Sequence, residues 1–295
     1  MSNLKNDESI DLSNPGKRLV VGIQFLFVAF GATVLVPLLI DIDPAVALFT
    51  AGFGTLIFHI ITKGKVPVFL GSSFAFIAPI IAATKLYGYA GTLGGIIAVG
   101  IVYGIVSAVI KLWGLNFIKK IFPSVVVGPV IMIIGLSLAS VGVDMAKTNW
   151  MIALVVLITA IVIVTFAKGL LKLIPIFIAI IVGYIISIFV GLVDFSSVNE
   201  AAWFALPKFT TPEFNWAAIL YMIPVAVAPI IEHIGDMYAI GGVAEKEFVK
   251  DPGLHRTILG DGIATAFAGA LGGPPNTTYS EVTGAVALTK IADPR

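Results

Sequence analysis

The sequence predicts an all-α polytopic membrane protein, on three observations. Of 295 residues, 58% are hydrophobic and only 12% are charged, against about 25% charged in a soluble domain, and the mean hydropathy is +1.05. Such a chain cannot cover itself with polar surface, so its solvent is lipid. Apolar runs near the roughly 20 residues that cross a bilayer recur at 18–40, 44–62, 89–113, 124–143, 149–167, 171–193 and 216–243, and shorter ones lie at 66–83, 257–272 and 274–291. These make ten crossings. Finally, of the 18 Lys and Arg residues only Lys85, Lys147 and Lys208 fall on one side of the ten crossings. The others, from Lys5 and Lys17 to Arg256 and Lys290, fall on the opposite side. Cytoplasmic loops carry the excess of Lys and Arg, so the N-terminus is expected in the cytoplasm.

The ends of the spans agree with this count. Trp113, Trp150, Trp203 and Trp216 all sit at or near predicted ends, where an amphipathic ring favours the interface. Residues 1–17 are polar and mixed in charge, without the basic and then apolar pattern of a cleaved signal. They are expected to form a cytoplasmic tail, with the first apolar run retained as a span. The longest polar connection, 195–215, is expected outside. Net charge is only +1, which gives no reason to expect a nucleic-acid partner. The chain has no cysteine and three dispersed histidines, His59, His233 and His255, so no metal-ligand spacing is present and no cofactor is expected.

Two short spans are interrupted in the same way. Residues 66–83 contain Val66-Pro67-Val68-Phe69-Leu70-Gly71-Ser72-Ser73-Phe74. Residues 274–291 open Pro274-Pro275-Asn276-Thr277-Thr278-Tyr279-Ser280-Glu281. Proline removes a backbone donor and glycine weakens a helix, so each segment is expected to start extended and become helical later. Irregular backbone at membrane depth is tolerated where it lines a cavity. Paired interrupted spans point to a transporter's binding site.

Most acidic residues lie in loops or tails, but Glu232, Asp236, Asp261 and Glu281 fall within spans. Charge inside a bilayer costs at least about 2.5 kcal/mol, so such residues face cavities and carry function. Glu232 and Asp236 are four apart and share a helical face, and two carboxylates that close disfavour double ionisation. One of them is therefore a candidate proton carrier, with a structural hydrogen-bonding pair as the alternative. Glu281 is expected in the first turn of a half-helix, where free N–H groups and the positive helix end favour anions and carbonyl oxygens. A helix cap is its other reading. Asp261 is expected at the cytoplasmic start of its span, as a cap, a packing contact or a functional group. His233, about 100° around the helix from Glu232, is expected to pack against a neighbouring span.

Several motifs in order along the chain then become specific. Gly31-Ala32-Thr33-Val34-Leu35-Val36-Pro37, Gly71-Ser72-Ser73-Phe74-Ala75-Phe76, Glu232-His233-Ile234-Gly235, Asp251-Pro252-Gly253-Leu254-His255-Arg256 and Pro275-Asn276-Thr277-Thr278-Tyr279 closely resemble the nucleobase–ascorbate transporter family, and in particular its uracil-carrying branch. The resemblance implies fourteen spans in two inverted seven-span repeats, of which this chain holds ten and lacks spans 11–14. It implies a core domain from 18–122 and 216–295, and a gate domain from 123–194. Spans 3 and 10 cross at the membrane centre, each starting as a short strand.

By the same resemblance, Glu232 and Glu281 bind the base, and Ala32, Ser73, Phe74, Tyr279 and Ser280 line the site. With Glu232 matching a base-binding position, the shared helical face makes Asp236 the better candidate of the pair for proton coupling. The implied activity is uracil uptake by proton symport across the bacterial cytoplasmic membrane, with sodium as the alternative ion, surrounding lipid as a partner and a homodimer allowed. Val282 stands where the family signature has Asn, and Asp236 where a known uracil carrier has His. Purine carriers of the family more often have an amide at the position of Glu281, which favours uracil over xanthine or uric acid. An ion channel would show repeated rings of identical residues, and none occurs. An intramembrane enzyme would need a nucleophile and base in reach at membrane depth, and Ser72, Ser73 and His233 are too generic a set for one.

Overall fold

The computed structural model describes residues 15–293 except 115–116, 118–123, 169–170, 172–173, 197, 199–201 and 203. The predicted tail before residue 15, Trp203 and Arg295 lie outside the described residues. The elements run α1 (Pro15–Leu39), α2 (Pro44–Ile61), β1 (Leu70–Ser72), a 3₁₀ turn (Phe74–Phe76), α3 (Ile77–Trp113), α4 (Ser124–Ala146), α5 (Trp150–Phe166) and α6 (Pro175–Phe189). They continue with α7 (Trp216–Met222), a 3₁₀ turn (Ile223–Ala226), α8 (Val227–Ala244), α9 (Leu254–Leu271), β2 (Asn276–Thr278) and α10 (Ser280–Thr289).

Local chemistry sets several of these boundaries. Asp43 caps α2 by accepting from the Ala45 N–H at 2.9 Å, with Pro44 as the first helical residue. Asn149 caps α5 at Ile152, and Asn215 caps α7 at Ala217 and Ala218. Such a side chain satisfies donors that the first turn leaves without partners. Helix α3 is 37 residues long, about 55 Å at 1.5 Å per residue. That is nearly twice the roughly 30 Å hydrocarbon core. Its backbone breaks at Gly88 (φ 73°, ψ 162°), which divides it into crossings three and four, as the apolar runs predict. Trp113, Trp150 and Trp216 fall at the end of α3 and the starts of α5 and α7.

Three helical stretches are each long and apolar enough to span a bilayer: Pro44–Ile61, Phe74–Trp113 and Trp216–Ala244. The protein is a multi-pass membrane protein. Its packed centre is α9 against α2 and α3, with Phe58, Ile96, Tyr103, Met222 and Ile258 fully buried. Small residues let α3 and α9 approach closely at Gly100 and Gly262, as is usual where lipid supplies no hydrophobic drive between helices. Helix α5 packs on α6, is apolar all round and has no buried residue. The later part of the 195–215 connection packs onto the bundle end, the Glu213 N–H donating to the Ala90 carbonyl at 2.8 Å and the Lys208 N–H to Asp43 at 3.3 Å.

The two interrupted spans meet. Strands β1 and β2 pair antiparallel, Leu70 opposite Thr278, Gly71 opposite Thr277 and Ser72 opposite Asn276. Each is then followed by helix, as the Pro- and Gly-containing segments predict.

Candidate functional site

A two-stranded sheet buried inside a membrane protein needs its backbone groups paired, and neighbouring backbone and side-chain groups supply several of the partners. The Ser73 N–H donates to the Pro275 carbonyl at 2.9 Å. Thr55 of α2 accepts from the Leu70 N–H at 2.9 Å. Thr265 of α9 donates to the Asn276 carbonyl at 2.9 Å, and the Asn276 amide donates to the Thr50 carbonyl at 3.1 Å. Thr55 and Thr265 are therefore parts of the site that motif reading passed over. Their signal is a hydroxyl residue inside an otherwise apolar span.

Tyr279 locks the crossing. Its hydroxyl donates to the Ser72 carbonyl at 2.9 Å and lies 3.3 Å from the Thr33 hydroxyl of α1. Its ring covers Gly71 so closely that a Cβ there would overlap ring carbons and hydroxyl. Tyr279 thus belongs to the scaffold that ties spans 1, 3 and 10 together, with its hydroxyl engaged by protein. It is buried, as is Ser73, while Phe74 is half-buried.

The carboxylates divide by environment. Asp236, buried on α8, accepts hydrogen bonds from the hydroxyls of Thr278 and Ser280, both at 2.7 Å. It fastens α8 to the strand-to-helix junction of span 10. Glu232 sits one turn earlier on the same face, half-buried, and its Oε2 has no hydrogen-bond partner among the described residues. Ser73 Oγ is likewise buried and unpartnered there. A buried polar atom without a partner costs about 1–3 kcal/mol, so these are atoms that a polar solute would satisfy. Glu281 lies in the first turn of α10, beside that helix's free N–H groups, and is accessible. Together with Ala32 it lines a cavity of about 170 Å³ between α1, α6 and α10. Of the sequence-predicted site residues, Ala32 and Glu281 line this cavity, while Ser73, Tyr279 and Ser280 sit at the strand crossing and its junction with α10, and Glu232 lies on α8.

Asp261 departs from the cap reading and fits the packing contact. Helix α9 starts at Leu254, so Asp261 lies seven residues inside it and caps nothing. Its oxygen approaches His233 Nδ1 at 3.2 Å, with both side chains fully buried, though the approach is not aligned as a hydrogen bond. The short loop before α9 supplies the helix start that Asp261 was expected to mark. His233 does pack against a neighbouring span, its ring centroid 6.4 Å from that of Phe58 on α2. No group of three or more His, Cys, Asp or Glu residues among the described residues has metal-site geometry.

Comparisons with known proteins place this arrangement. A family model described as "Permease family" matches residues 16–295. The "Probable uracil permease" of Haemophilus influenzae is 53% identical over 94% of this chain and 69% of its own length. The uracil permease of Bacillus caldolyticus is 44% identical over 95% of this chain and 68% of its own. In fold, the chain is similar to the transmembrane domain of the cyanobacterial bicarbonate transporter BicA, with a TM-score of 0.66, 17% identity, and coverage of 95% of this chain and 79% of that one. The family and these relatives are transporters rather than enzymes. With the motifs in order along the chain and the match running from residue 16 to 295, the protein belongs to this permease family, the nucleobase–ascorbate transporters.

Proposed function

We propose that this protein carries uracil inward across the bacterial cytoplasmic membrane with a proton, its N-terminus in the cytoplasm. The observation that carries the reading is the cavity holding Glu281 beside the buried strand crossing. It offers one charged acceptor at the N-terminal end of a half-helix, next to small and apolar walls. A base with N–H donors and C=O acceptors pairs its N–H groups with carboxylates and its carbonyls with N–H groups of the helix end. Glu281 and Glu232 are the base-binding carboxylates, with Ala32, Ser73 and Phe74 around the base and with Tyr279 and Ser280 holding the junction in shape. Asp236 is the coupling residue, since its protonation state acts directly on two hydroxyls, at the end of β2 and the start of α10. The names of the relatives support uracil as the base.

In this account α1–α3 and α7–α10 form the core, α4–α6 belong to the gate, and the core moves against the gate to alternate access. The test is uptake of labelled uracil by cells expressing the protein, in competition with unlabelled uracil, xanthine and uric acid across a pH gradient. Saturable uptake that only uracil blocks, and that acid outside drives, is expected. Uptake blocked equally by xanthine would move the reading to a purine carrier.

A further inference from the structure

The wall of the Glu281 cavity that faces the carboxylate is supplied by α6, and this wall has a chemistry of its own. Pro175, Ile176 and Phe177 at the start of α6 line the cavity together with Phe27 of α1. The Phe177 ring lies 5.0 Å from Phe27, tilted by 44°, and 6.2 Å from Phe30 in an edge-on arrangement of 88°. Phe177 is therefore wedged between two rings of α1. One helical turn beyond Phe27, the two helices are in van der Waals contact: a Cβ on Gly31 would meet Ile176 at 3.4 Å and Ile180 at 3.6 Å. In this structure the packing of α6 on α1 holds the wall in place.

The dimensions give this wall a consequence. The cavity measures about 170 Å³. A protein cavity of about 150 Å³ lined by apolar side chains holds one benzene ring, so a single six-membered ring fills the space beside the Phe27–Phe177 wall, and a fused second ring would have to push into that wall or out through the cavity's open side. Among the described residues Glu281 is the one ionisable residue lining it, which directs the polar edge of a ring toward α10 and its other side toward Phe27 and Phe177.

We propose that Phe177, held by Phe27, limits the site to single-ring bases, so that α6 sets substrate size while α10 sets hydrogen bonding. This rests on the uracil reading above and assigns a specificity role to a helix on the gate side. Neither phenylalanine is among the positions that the motifs single out.

The test is equilibrium binding by the purified full chain in lipid nanodiscs, with labelled uracil displaced by unlabelled uracil or xanthine. Wild type is expected to bind uracil and to ignore xanthine. Phe177→Ala opens the wall, and xanthine is expected to gain about tenfold or more relative to uracil, the scale on which a hydrophobic pocket discriminates by size. Phe27→Ala should act in the same direction. Phe177→Leu keeps apolar bulk and is expected to show a smaller gain, and it serves if the alanine variant does not fold. A wild type that binds uracil, with Phe177 variants that exclude xanthine as strictly as it does, overturns the size limit alone. A wild type that binds xanthine as tightly as uracil overturns both this inference and the uracil reading.

Discussion

Asp236 on α8 accepts the Ser280 hydroxyl at 2.7 Å, and the Thr278 hydroxyl at the same distance, so one carboxylate bridges the residues on either side of Tyr279. Protonation would turn one of its oxygens from acceptor to donor and force those hydroxyls to reorient. Asp236→Asn keeps the size but fixes one acceptor and one amide donor. We expect it to abolish pH-driven accumulation of uracil while exchange of bound for free uracil persists, since exchange moves no net proton. Transport by proteoliposomes, with and without an imposed pH gradient, checks this. Gradient-driven accumulation with an unshifted pH profile would leave Asp236 only a structural role.

The packing of Tyr279 over Gly71 predicts a paired effect. Gly71→Ala drives a methyl into the ring, and overpacking of this kind costs about 1–3 kcal/mol. Gly71→Ala should lower the melting temperature of the detergent-solubilised protein. Tyr279→Ala should lower it as well, by removing the hydrogen bond to the Ser72 carbonyl. The double variant should melt well above the value expected from adding the two, because the clash vanishes with the ring. Simple additivity of the two shifts would show that the ring is not what excludes a side chain at Gly71.

Orientation is tested by labelling, since the chain contains no cysteine and each introduced one reports alone. Asp41→Cys, in the turn after α1, should react with an impermeant maleimide added to intact cells. Lys246→Cys, in the turn after α8, should react only after permeabilisation. The reverse pattern would invert the topology that the basic residues imply.

Much of this architecture is written locally in the chain. The apolar runs mark the crossings because a span of fixed thickness needs a fixed length of helix. The Pro-Gly-hydroxyl clusters at 66–74 and 274–280 mark the strands because such residues cannot continue a helix in lipid. What could not be read is pairing over long separations. Nothing near Asp261 announces that it meets His233 from another helix, and its neighbours Gly260 and Gly262 suggest a helix end rather than a fully buried interior. Glu281 is legible as an acid within a predicted span, but Phe27 and Phe177 look like any lipid-facing phenylalanine. Only the tertiary approach of α6 to α1 places them beside Glu281.

The central claim is that Glu281 holds the base. Glu281→Gln preserves shape and replaces an anionic acceptor by a neutral amide, so it removes a charge-assisted hydrogen bond worth about 1.5–3 kcal/mol, or about 10- to 150-fold in affinity. The measurement is the uracil dissociation constant of wild type and Glu281→Gln by calorimetry at one pH, on protein of matched melting temperature. A rise of that size with the fold intact is the predicted result. An unchanged dissociation constant would contradict the account and leave Glu281 as a cap on α10.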